Sequence, residues 1–128
     1  MTTRPSIAEP WVVNDDGSVD VLVWQGRTWL VDVTHPGLVD PTGYSARVGF
    51  AASPGDTPLV TGSTQDGSIT LTALPDGAGT VIAITVPDEK TDLVTVRRGW
   101  WDLMLESPGG LEYPVLAGRF TTRAKVTS

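Results

Sequence analysis

Side chains able to do acid–base, nucleophilic or metal chemistry are few in this sequence of 128 residues, which holds one histidine and no cysteine. The histidine, His35, precedes Pro36 and Gly37 and is expected in a turn. One His without Cys excludes the common His/Cys zinc sites and any two-His site within one chain. A Ser-His-Asp arrangement would need His35 beside a carboxylate and a serine. No Gly-x-Ser-x-Gly elbow is present, and neither is a phosphate loop or dinucleotide fingerprint. The run Asn14-Asp15-Asp16-Gly17-Ser18-Val19-Asp20 is dense in oxygen, yet it lacks the calcium-loop spacing and its closing Glu. Asp or Asn before Gly is also what a hairpin turn demands, and that reading is the better one. No feature singles out a carboxylate pair for glycoside hydrolysis. The expectation is a non-enzymatic chain with no catalytic residue, cofactor or metal.

The five tryptophans are the chain's other chemical resource. Trp24 and Trp29 bracket Gln25-Gly26-Arg27-Thr28, Trp100 and Trp101 are adjacent, and Trp11 follows Pro10. Tryptophan stacks on sugar rings when exposed, fills cores when buried, and anchors protein interfaces together with arginine. Alternation along a strand puts Trp100 and Trp101 on opposite faces. Trp101 is in phase with Leu103 and Leu105 and belongs in a core, while Trp100 shares its face with Asp102 and Met104. An exposed Trp beside Met marks a contact surface. The candidate interface residues are Trp11, Trp24, Trp29, Arg97, Arg98 and Trp100.

Charge is uneven. The net charge of −6 argues against nucleic acid, whose phosphates need clustered Lys/Arg. Residues 1–96 hold four Lys/Arg and twelve Asp/Glu, whereas residues 97–128 hold five Lys/Arg and three acids. This is either a solvated surface with chance asymmetry or a head-to-tail contact in which a basic edge meets an acidic neighbour.

The elements that must position these residues are strands. Asp-Gly at 16–17, 66–67 and 76–77 and Pro-Gly at 36–37, 54–55 and 108–109 cut the chain into short pieces. Period-two alternation runs through Tyr44 to Phe50, Ile82 to Val86 and Trp101 to Glu106, with further strands near 19–24, 28–33, 59–63, 69–73 and 112–122. About eight short strands predict an all-β sandwich or barrel. Val48, Phe50, Ile82, Ile84, Trp101, Leu103 and Leu105 are expected in its core. The one helical candidate, Asp88 to Thr95 after Pro87, reads equally as a loop with a single turn. Residues 1–11, with Pro5 and Pro10, read as a flexible N-terminal arm, and residues 12–128 as one domain. Apolar runs stop at four residues (Val21 to Trp24, Val81 to Ile84), so no membrane span is expected, and the N-terminus lacks the apolar stretch of a secretory signal.

Several stretches in order carry a resemblance: Asp40-Pro41-Thr42-Gly43-Tyr44-Ser45-Ala46-Arg47-Val48, Gly67-Ser68-Ile69-Thr70-Leu71, Val86-Pro87, Gly99-Trp100-Trp101-Asp102-Leu103-Met104-Leu105-Glu106, Leu116-Ala117-Gly118-Arg119-Phe120-Thr121 and Lys125-Val126-Thr127. From about residue 19 to 127 the chain resembles small β-sandwich virion proteins of tailed bacteriophages, and is similar to the N-terminal domain of siphophage upper baseplate proteins. It departs from their pattern at Gly49-Phe50-Ala51, and no fibre domain follows Ser128, which favours a small accessory subunit over a fibre anchor. The resemblance implies an immunoglobulin-like β-sandwich acting as a structural subunit of a tail, baseplate or neck. Such a subunit is made in the host cytoplasm, carried in the virion, and docks to other virion proteins and to copies of itself within a symmetric assembly, with no nucleic-acid or membrane partner. Capsid decoration is a variant of that role. A carbohydrate-binding module adhering to host surface glycans through Trp24, Trp29 or Trp100 is the alternative of another class, and a small hydrolase built on His35 is a third.

Overall fold

Three turns repeat one local device, Asp-x-Ser/Thr. Asp16, Asp40 and Asp66 each accept, on Oδ1, the backbone N–H two residues on, from Ser18, Thr42 and Ser68 at 2.9, 3.0 and 2.8 Å. The short carboxylate mimics a backbone acceptor and closes the turn. Glycine at positive φ follows in the first and third, at Gly17 and Gly67. Between such turns the alternating segments extend. The computed structural model of the chain describes residues 6–7 and 12–124.

The described residues form ten strands: β1 (Ser6–Ile7), β2 (Val12–Val13), β3 (Val19–Trp24), β4 (Trp29–His35), β5 (Ser45–Ala51), β6 (Val60–Ser63), β7 (Ile69–Ala73), β8 (Thr80–Val86), β9 (Arg98–Glu106) and β10 (Glu112–Arg123). One helical turn, α1 (Asp88–Thr91), follows Pro87, so the helical candidate reduces to the single turn. Strand β4 runs through His35, which pairs with Thr80, so the histidine ends a strand instead of lying in a turn. Within the arm read from the sequence, Ser6 and Ile7 pair with Thr34 and Val33. Residues 1–5 and 8–11 lie outside the described residues, as do 125–128 and with them Lys125-Val126-Thr127.

The strands form two sheets, ordered β1-β4-β8-β7 and β2-β3-β10-β9-β5-β6. All pairs are antiparallel except β3 with β10, which align in parallel from Phe120↔Val21 to Arg123↔Trp24. Labelling β1, β4, β8 and β7 as A, B, E and D makes β10, β9, β5 and β6 into G, F, C and C′, the strand order of an immunoglobulin domain. The fold is an immunoglobulin-like β-sandwich.

Antibody domains pin strands B and F with a disulfide and pack a strand-C tryptophan against it. This chain, lacking cysteine, pins the same strands with rings. Trp29 on β4 meets Trp101 on β9 at 5.9 Å and Phe50 on β5 at 5.2 Å, and Phe50 meets Phe120 on β10 at 5.5 Å, all edge to face. Edge-to-face pairs contribute about 0.5–1.5 kcal/mol each beyond their buried area. Both indole N–H groups donate to β3: Trp101 Nε1 to the Val19 carbonyl at 2.8 Å and Trp29 Nε1 to the Leu22 carbonyl at 3.2 Å. All seven residues expected in the core are buried there.

Candidate interaction surface

Strand alternation decides what the six-stranded sheet shows to its outer face. On β9 the buried residues are Gly99, Trp101, Leu103 and Leu105, which leaves Arg98, Trp100 and Asp102 outside. On β10, Leu116, Gly118 and Phe120 point inward, and Ala117, Arg119, Thr121 and Arg123 outward. The register sets Arg119 opposite Trp100 and Thr121 opposite Arg98. Trp100 is 38% exposed, and the Arg119 guanidinium lies over its ring at 4.9 Å from the centroid. Trp24, at the end of β3, is 45% exposed, with the Arg27 guanidinium 5.6 Å from its ring. An arginine over an aromatic face holds a large apolar ring at the surface in a fixed orientation, the composition of an interface anchor.

Of the six candidate residues, Trp24, Arg97, Arg98 and Trp100 reach this face. The first three line one groove of 840 Å³ at the end where β3 and β10 finish, together with Arg123 and Thr121. Trp100 stands two residues further along β9 and walls a second groove of 360 Å³, floored by Gly49, Ala51 and Ala117 and bordered by Asp102. Trp29 is a correction. It is 4% exposed, because it is in phase with Val31 and Val33 on the inner face of β4, and it offers nothing to a partner. Trp11 lies outside the described residues. The candidate list lacked Arg119 and Arg123. The hairpin through Pro108-Gly109 was the available signal for Arg119, since it pairs β9 with β10 and sets that arginine opposite Trp100.

Away from this face, two aspartates hold turns. The Ser18 hydroxyl and amide hold Asp16 below the usual carboxylate range, and the Thr42 hydroxyl and amide do the same for Asp40. The Asn14–Ser18 stretch is the turn joining β2 to β3, closed by Asn14 N–H donating to the Ser18 carbonyl at 2.8 Å. Among the described residues no three of His, Asp or Glu gather around a common point. Desolvation raises Asp102, against the opposing pull of Arg47. Burial lowers His35, whose Nδ1 is enclosed without a hydrogen-bond partner among the described residues. No helix among the described residues is long and apolar enough to cross a membrane.

No protein-family model and no curated protein matches the chain. Among solved structures it is similar to the first immunoglobulin domain of the mouse polymeric immunoglobulin receptor, with 14% identity and a TM-score of 0.40 over 85% of this chain and 93% of that one.

Proposed function

We propose that the protein is a non-enzymatic structural subunit of a tailed-phage virion, in its tail, baseplate or neck, that docks to other virion proteins through the outer face of the six-stranded sheet. The observation that carries the docking role is the pair of exposed tryptophans on that face, Trp24 and Trp100, each under an arginine. The ordered motifs from Asp40 to Thr121 supply the phage context. Repetition in a symmetric particle multiplies modest contacts of this kind into lasting attachment. Mass spectrometry of purified virions tests the reading: the chain is expected among the structural proteins, and its absence would refute the role. Trp100→Ala is expected to leave the fold intact by circular dichroism and to lower incorporation into particles by about tenfold or more, the loss typical of an interface anchor.

A second reading, a glycan-binding module, is supported by the groove beside Trp100. There an indole face, the Asp102 carboxylate and the Ser53 hydroxyl surround small residues, an arrangement suited to a pyranose ring. Titration with host cell-wall polysaccharide separates the readings. A shift in tryptophan fluorescence that Trp100→Ala abolishes supports the glycan, and an unchanged spectrum leaves protein docking.

A further inference from the structure

A groove at one end of the sandwich and the connections at the other differ in charge. Where β3 and β10 finish and β9 begins, Arg97, Arg98 and Arg123 line the larger groove with Trp24, and no carboxylate lines it. The ion pairs among the described residues are Arg47–Glu112 and Lys90–Asp66, so these three guanidinium groups are unpaired there. The acids of α1, Asp88 and Glu89, lie at this end too but do not line the groove, and Lys90 between Glu89 and Thr91 binds Asp66.

Three connections meet at the opposite end: residues 36–44, 74–79 and 107–111. A Cβ on Gly43 would lie 2.9 Å from Pro108, one on Gly77 3.6 Å from Val39, and one on Gly79 2.7 Å from the His35 carbonyl. These connections contain Asp40 and Asp76 and neither Lys nor Arg. Glu106 ends β9 beside them, and Val39 and Leu111 stand 57% and 69% exposed. One end therefore presents an apolar ring among guanidinium groups, and the other presents apolar side chains among carboxylates. Arg98 and Glu106 are eight residues apart on one strand, roughly 27 Å at strand rise. That distance is several times the Debye length of about 8 Å at physiological salt, so the ends do not neutralise each other within one molecule.

We propose that a second copy of this chain seats its acidic end, around Asp40, Asp76 and Leu111, in the basic groove formed by Arg97, Arg98 and Arg123, head to tail. Such a contact is heterologous, so it continues into a ring or a stack and does not stop at two copies. The proposal rests on the reading of the protein as a docking subunit, and it names the partner of that surface.

Sedimentation velocity on the purified full chain tests it, at about 20 mM and about 500 mM salt, the latter shortening the Debye length to roughly 4 Å. Species larger than a dimer are expected at low salt and high protein concentration, reverting to monomer at high salt. R98E/R123E is expected to weaken association by about 10- to 100-fold. V39K/D76K/L111K, which reverses the other end, should do the same, and mixing the two variants should restore association because each supplies what the other lost. Circular dichroism confirms that both variants fold. A monomer under all conditions would overturn the proposal. So would a salt-insensitive dimer that never grows, or binding of poly-glutamate without self-association, which assigns the groove to a separate acidic partner. Virion mass spectrometry keeps the two readings apart. A monomer that is nevertheless found in particles sinks the head-to-tail contact alone, whereas self-association of a chain absent from particles sinks the virion role alone.

Discussion

Asp66 accepts hydrogen bonds from the Ser63 and Ser68 amides at 3.1 and 2.8 Å and pairs with Lys90 at 3.0 Å, tying the β6–β7 turn to α1. Burial alone would raise this carboxyl, but the Ser68 hydroxyl and amide, the Lys90 ammonium and the Ser63 amide together drive it far below its ordinary value. The unfolded chain therefore binds a proton that the folded one refuses. The resulting stability is complete above about pH 4, the unfolded value, and is lost as pH falls toward the folded one. Asp66→Asn is expected to cost about 1–2 kcal/mol at neutral pH, discounted for partial exposure, and to flatten the loss of stability below about pH 4. Urea unfolding across that range measures both, and an unchanged acid slope would contradict the assignment. Trp101 joins three strands at once, through its ring contact with Trp29, its register on β9 and its bond to Val19. Trp101→Ala should lower stability by about 3–5 kcal/mol. A loss under about 1 kcal/mol would mean that the ring contacts contribute little.

At the scale of elements, the parallel pairing of β3 with β10 depends on a missing side chain. A Cβ on Gly118 would fall 2.0 Å from the Val19 carbonyl oxygen, the same atom that receives the Trp101 indole N–H. Glycine here gives the β3 backbone room to approach, which neither strand alone would reveal. Gly118→Ala must displace β3 or break that bond, and a loss of about 2–4 kcal/mol in denaturant unfolding is expected. Pro114 illustrates a second constraint. It donates no ladder hydrogen bond, and the register of β10 against β9 shifts between Pro114 and Leu116. The pairing of β10 with β3 covers only Phe120 to Arg123, so Pro114 falls where β10 has one partner, the place a sheet tolerates proline.

At the scale of the whole molecule, one core fills the space between two sheets, with the aromatic contacts crossing it. Because neither sheet can bury its inner face alone, unfolding should be a single cooperative transition. Tryptophan fluorescence, which reports on Trp29 and Trp101 inside, and far-ultraviolet dichroism should therefore give coincident urea curves; separated midpoints would show that the sheets melt independently. The polarity of the two ends also belongs to this scale, since each end gathers residues from several elements: the basic groove draws on β3, β9 and β10.

Strand positions, the turns between them and the inward faces of β5, β8 and β9 were legible in the sequence. Alternation and turn chemistry act between residues a few positions apart, and they left little freedom at Tyr44 to Phe50 or Trp101 to Glu106. The burial of Trp29 was also within reach: it is in phase with Val31 and Val33, as Trp24 is out of phase with Val19, Val21 and Val23. Proximity to the same turn made the two tryptophans look equivalent, although the chain crosses there from one sheet to the other. Only the tertiary structure gathers Trp24 with Arg97, Arg98 and Arg123, because that groove depends on β3 aligning with the far end of β10. Such pairing is chosen by the burial of two sheets against each other, a long-range balance that leaves no mark in the local pattern of either strand.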